Sequence, residues 1–122
     1  MAGKIIADTL EHSTAGSLDT QYVVDGSAKA WARTSGNGDV VEDNLNMASI
    51  TDNSTGDKTI GLVSNMGSTL YAVVATVRVG SGNTFVAQMQ ESNAGSIRID
   101  TKGDADDEAD RDFSVVAFGD LA

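Results

Sequence analysis

The chain of 122 residues has no cysteine, no proline, one histidine and few aromatics, 5% of the sequence. Each absence closes something. Without cysteine there is no disulfide framework and no thiolate site for zinc or an iron–sulfur cluster; this composition fits synthesis in a reducing cytoplasm. A single imidazole falls short of the ligand sets that catalytic zinc uses. The 18 acidic residues allow many carboxylate pairs. With so few aromatics to stack a sugar, however, polysaccharide cleavage by such a pair is a distant reading. No apolar run approaches the ~20 residues of a membrane-spanning helix, and the opening Met-Ala-Gly-Lys-Ile-Ile-Ala-Asp is not expected to act as a signal peptide. Cations are scarce too: 8 Lys and Arg stand against 18 Asp and Glu, a net charge of −10. That excess, with no basic stripe to offset it, repels nucleic acid and anionic membrane alike, and neither is expected as a partner.

What is present is a β-type vocabulary. The 13 glycines lie with Asn, Asp, Ser and Thr between short apolar runs, the mark of strands joined by tight turns. Strand candidates recur from Val23 onward: Ala28 to Thr34, Asp39 to Glu42, Leu45 to Thr51, Thr59 to Ser64, Leu70 to Val79, Thr84 to Gln90, Ser96 to Thr101 and Asp112 to Gly119. Several alternate cleanly. Phe113, Val115 and Ala117 share one face, as do Ile97 and Ile99, and Phe85, Ala87 and Met89. Leu70 to Val79 is apolar on both faces for part of its length, which reads as a central strand covered on both sides. Ser35-Gly36-Asn37-Gly38-Asp39, Asp52 to Asp57 and Gly80-Ser81-Gly82-Asn83 supply the turns. No segment shows a sustained helical stripe.

The length suits one domain. The expected fold is an all-β, antiparallel β-sandwich, jelly-roll-like, of about 7–9 short strands. The division expected is an extended N-terminal arm over residues 1–22, small and polar, and a β-sandwich domain over 23–122.

Few residues invite a chemical role. Asp104, Asp106, Asp107, Glu108, Asp110 and Asp112 form a dense acidic run. Ca²⁺ takes about 6–8 oxygen ligands, but the run lacks the glycine of an EF-hand loop, with Ala109 at that position; a solvated loop is the plainer reading. His12 sits in the polar arm, far from the fixed setting a Ser-His-Asp triad requires, and reads as an exposed histidine. The turns Gly36-Asn37-Gly38 and Gly80-Ser81-Gly82 lack the following helix of a phosphate-binding loop and read as hairpin turns. Trp31, among alternating alanines, reads as an anchor in the core or at a subunit interface. No catalytic residue, cofactor site or metal site is assigned.

One resemblance narrows the field. Ser27-Ala28-Lys29-Ala30-Trp31 is followed by a Gly-rich turn, then by Met47-Ala48-Ser49-Ile50-Thr51-Asp52-Asn53-Ser54-Thr55-Gly56-Asp57-Lys58-Thr59-Ile60, then by Leu70-Tyr71-Ala72-Val73-Val74. In this order the segments resemble a module that recurs in virion proteins of tailed bacteriophages, among them tail-fibre, head-fibre and capsid-decoration proteins. Lys4 to Leu10 is similar to the extended leader that often precedes it, and the likeness covers residues 4 to about 74. The related pattern has a tyrosine where Lys58 stands and an aromatic where Thr34 stands. The resemblance implies a non-enzymatic structural protein on the virion surface, made in the host bacterial cytoplasm and assembled as a homotrimer. Its partner would be the major capsid protein or another virion structural protein. A capsid decoration protein (cement or head spike) fits a short chain without a fibrous shaft; a tail-fibre or receptor-binding tip protein is the alternative. Lys4, Ile5, Ile6 and Leu10 are the expected docking residues of the arm, and Trp31 the expected interface anchor.

Overall fold

The structure is a computed structural model that describes residues 3, 6–78, 84–103 and 107–122. Among these, the strands are β1 (Thr9–His12), β2 (Gly16–Asp19), β3 (Ala28–Ser35), β4 (Val40–Leu45), β5 (Met47–Ser54), β6 (Asp57–Leu62), β7 (Ala72–Val77), β8 (Val86–Asn93), β9 (Ser96–Lys102) and β10 (Phe113–Phe118). One helix, α1 (Thr20–Gly26), separates β2 from β3. Eight strands form two four-stranded sheets, ordered β4-β3-β10-β7 and β5-β6-β9-β8, with every ladder antiparallel. The fold is an all-β sandwich.

Period-2 patterning decides which side chains go inside. In β10, Phe113, Val115 and Ala117 are buried while Ser114, Val116 and Phe118 are only half-buried. In β3 the inward set is Ala30, Ala32 and Thr34. The second sheet answers with Ile60 and Leu62 from β6 and Ile97 and Ile99 from β9. Small alanines on one sheet thus face branched, larger chains on the other, which lets the layers interdigitate at native density. Met66, from the crossover after β6, fills one end and bridges Leu121. Thr34 sits in this apolar interior without an orphaned hydroxyl. Its Oγ1 donates to the Phe113 carbonyl at 3.0 Å and accepts from the Phe113 amide at 2.9 Å.

The chain changes sheet at two kinds of corner. Between β4 and β5 the switch takes one residue, Asn46, with a positive φ of 58°, a conformation asparagine tolerates better than most residues. Its side chain holds the corner by exchanging two hydrogen bonds with the Ser64 backbone, at 2.7 and 3.0 Å. Between β9 and β10 the return is long, and β10 comes back beside β7. At the two open rims β7 lies along β8 and β4 along β5. The order β10-β7-β8-β9 is therefore that of a Greek key.

Two expectations need correcting. β7 is an edge strand, not a central one: Leu70 before it is 91% exposed and Val74 within it 59%. Its outer apolar residues are uncovered within the chain. The segment expected to be an extended arm contains the β1–β2 hairpin, paired Thr9 with Asp19 through His12 with Gly16. Helix α1 then runs across the expected boundary at 22/23. A seven-residue helix is too short to show a periodic stripe, so nothing in the pattern announced it. The expected docking residues Lys4 and Ile5, the end of the expected strand at Val79, the turn Gly80 to Asn83, and Asp104 to Asp106 lie outside the described residues.

Candidate functional site

The densest ionic cluster is at one end of the sandwich, around Lys58. In β6, Lys58 is in phase with Ile60 and Leu62, so its side chain points between the sheets and is 1% exposed. A lone ammonium there would be very costly. Three carboxylates meet it: Asp39 at 2.7 Å, Asp52 at 2.8 Å and Asp110 at 3.2 Å. They come from the β3–β4 turn, from β5 directly opposite Lys58 in the ladder, and from the β9–β10 return. Burial opposes the charge of Lys58, but the three acids outweigh it and raise the lysine above its ordinary value of 10.5. The amine therefore stays protonated. It has no lone pair to offer as a nucleophile, a Schiff-base former or a general base, and the cluster works as a clamp on three segments.

Asp110 is held twice. The Gly56 amide donates to its carboxylate at 2.8 Å, and this bond, with Lys58, sets Asp110 below the usual carboxylate range against the opposing effect of burial. On the outer face of the second sheet, Asp57 takes a bidentate contact from Arg98, Nε to Oδ1 at 2.8 Å with Nη2 on the other oxygen, and a bond from Asn53 Nδ2 at 3.0 Å. The Arg98 bond foremost lowers Asp57. Asp100 lies opposite Asp57 in the β6–β9 ladder and is buried, with no hydrogen-bond partner for its Oδ1 among the described residues. Burial first, then the charge of Asp57, raises it.

The acidic run is used to tie down the return between β9 and β10. Besides Asp110, Asp112 accepts from the Asn37 amide at 2.9 Å and pairs with Arg78 Nη2 at 2.7 Å. The Arg111 guanidinium lies 4.2 Å from the centre of the Phe85 ring. Asp107 and Glu108 are exposed. Among the described residues no group of three His, Cys, Asp or Glu side chains converges as a metal site would require.

Two apolar surfaces remain. Trp31 is on the outer face of the first sheet, half-buried, and paired in register with Val116 on one side and Leu45 on the other. In the N-terminal unit, Ile6, Ala7, Leu10, Thr20, Val23 and Val24 line a shallow open groove of about 320 Å³. Ile6 is 80% exposed, and neither β2 nor α1 has a buried residue. The unit is joined internally: the Thr20 amide and hydroxyl donate to the Asp8 and Ala7 carbonyls at 2.9 and 2.7 Å. Lys29 Nζ reaches back to the carbonyls of Val24 and Ser27 at the end of α1.

Of the residues expected to matter, Ile6 and Leu10 fall in one groove, and Trp31 belongs to a separate surface. The Lys58 clamp was not anticipated. Its one sequence signal is a lysine in phase with Ile60 and Leu62. Compared with family models, with curated proteins and with solved structures, the chain matches none. The likeness to tailed-phage virion proteins rests on the segments quoted for it.

Proposed function

We propose that this chain is a non-enzymatic structural protein of a tailed bacteriophage particle: a capsid decoration protein that trimerises and docks on the shell through its N-terminal segment. The observation that carries the reading is the N-terminal unit itself. A two-stranded hairpin is marginal in water on its own, and so is a seven-residue helix. This one also leaves Ile6, Leu10, Val23 and Val24 exposed together. Such a unit has an energetic reason to lie against another protein, where an assembly supplies the missing cover. The strongest ionic cluster, by contrast, is engaged in holding loops.

Removing residues 1–26 tests this. The core residues all lie in the sandwich, from Ala30 to Ala117, so the shortened chain is expected to keep its far-ultraviolet spectrum and cooperative melting but to lose binding to shells that lack the protein. Undiminished binding by the shortened chain would sink the docking role. The resemblance to fibre proteins favours a second reading, a tail-fibre or receptor-binding tip. Copy number separates the two: hundreds per particle support decoration, and a few to a few dozen place the protein on the tail.

A further inference from the structure

We infer that copies of this chain meet one another through the outer face of the β4-β3-β10-β7 sheet. The inference deepens the proposed assembly and rests on its oligomeric reading. The register places one apolar row straight across all four strands. Leu45 pairs with Trp31, Trp31 with Val116, and Val116 with Val74. Phe118 and Ala72, paired with each other, extend the patch on one side. Leu45 and Val74 are exposed, Trp31, Val116 and Phe118 are half-buried, and a shallow apolar depression lies between Trp31, Val74 and Val116. The outer face of the other sheet is unlike it, carrying Thr59 and Gly61 of β6 and Ser96, Arg98 and Asp100 of β9. A sheet face in water normally alternates to polar residues; the other sheet obeys that rule along β6 and β9, while on this one an apolar row lies beside a polar row of Asp43, Arg33, Ser114 and Thr76.

Charge selects a second copy as the occupant. The chain carries a net −10, so two copies repel over most of their surface. On this face the charges are of both signs: Arg33 pairs with Glu42 at 2.9 Å and Arg78 with Asp112 at 2.7 Å, and the exposed Asp43 stands opposite Arg33 in the ladder. A cationic partner would find its attraction elsewhere on the molecule, whereas another copy finds here an apolar row flanked by charges of both signs, where like-charge repulsion is least. Size sets the strength. Strands about 4.8 Å apart, six residues long at about 3.3 Å each, give roughly 400 Å² in projection. A standard interface covers about 800 Å² per partner. The face alone therefore makes a contact that comes apart on dilution.

The chain has one tryptophan, and it lies in the row, so its emission reports on this face directly. Full-length protein is followed by sedimentation and by Trp31 fluorescence over a concentration series. With assembly, emission is expected to move to shorter wavelength and acrylamide quenching to fall. Salt at about 0.15 M is expected to strengthen association, because it screens the general repulsion and leaves apolar contact intact. The double variant Val74→Thr with Val116→Thr keeps β-branched side chains on the outer face. It is expected to melt like the parent and to associate at least about tenfold more weakly. An unaltered assembly in that variant, or an assembly in which Trp31 emission and quenching do not change, would overturn the inference. So would a mass of one chain at every concentration. None of these outcomes touches docking on the particle, which is read separately by shell binding of the full chain.

Discussion

A buried lysine held by three acids is expensive to assemble and more expensive to break. Lys58→Met removes the cation but leaves Asp39, Asp52 and Asp110 facing one another. The three carboxylates are partly exposed and keep some hydration, so the expected loss is about 3 kcal/mol, the low end for breaking a buried pair. Urea unfolding of the variant measures it. Asp100 behaves in the opposite sense. Its folded value is raised, mainly by burial, so the folded chain binds its proton more readily than the unfolded one, and its charge costs stability as pH rises from the ordinary 3.8 through the folded value. Asp100→Asn is expected to stabilise the protein at pH 7 by on the order of 1 kcal/mol, since a buried acceptor without a partner is relieved of its charge. The gain should shrink in acid, where Asp100 is already neutral; melting curves at neutral and acid pH decide it. Asp57 and Asp110 run the other way. Their lowered values give stability that is present above 3.8 and lost as pH falls through the folded values. Lys58 contributes fully below 10.5 and less only as pH climbs through its raised value.

At the scale of the element, the β5–β6 turn is the least forgiving. Gly56 has a φ of 74°, and a Cβ there would stand 2.6 Å from the Thr101 carbonyl oxygen and 2.9 Å from the Ala109 amide nitrogen. Both obstacles are backbone, so neither can step aside cheaply. Gly56→Ala combines a left-handed backbone with that clash, and a loss above about 2 kcal/mol is expected in thermal or chemical melting. The turn also donates to Asp110 and accepts from the Thr101 amide at 2.7 Å, so the β9–β10 return should loosen with it. The elements themselves were largely legible. Ser96 to Thr101 and Asp112 to Gly119 fall within a residue or so of β9 and β10, because a strand buried on one face writes its alternation into the chain. Leu70 to Val79 misled for a physical reason. Apolar residues on both faces signal cover on both sides, but not whose atoms provide it, and β7 is an edge with its outer face open. The Lys58 clamp was illegible because its acids lie at positions 39, 52 and 110: Asp52 faces Lys58 across the β5–β6 hairpin, but only the tertiary fold brings in Asp39 and Asp110.

For the whole molecule, buried and exposed apolar side chains are divided between two parts. The sandwich holds the buried apolar core, and the N-terminal hairpin and α1 hold exposed apolar side chains without any buried residue in β2 or α1. Loss of residues 1–26 is accordingly expected to cost little melting temperature and, on the proposed docking role, to cost particle binding, a contrast that calorimetry and shell binding read on one sample. The Lys58 clamp bears on something that no equilibrium measurement sees. Asp52 faces Lys58 across a local hairpin, but Asp39 and Asp110 arrive from the β3–β4 turn and from the return to β10, so closure of the clamp is expected late in folding. Energy gained after the barrier does not hasten folding; it deepens the well from which the native chain must escape. The clamp is thus expected to act as a brake on unfolding and to lengthen the lifetime of each folded copy, so that Lys58→Met speeds unfolding in a stopped-flow measurement.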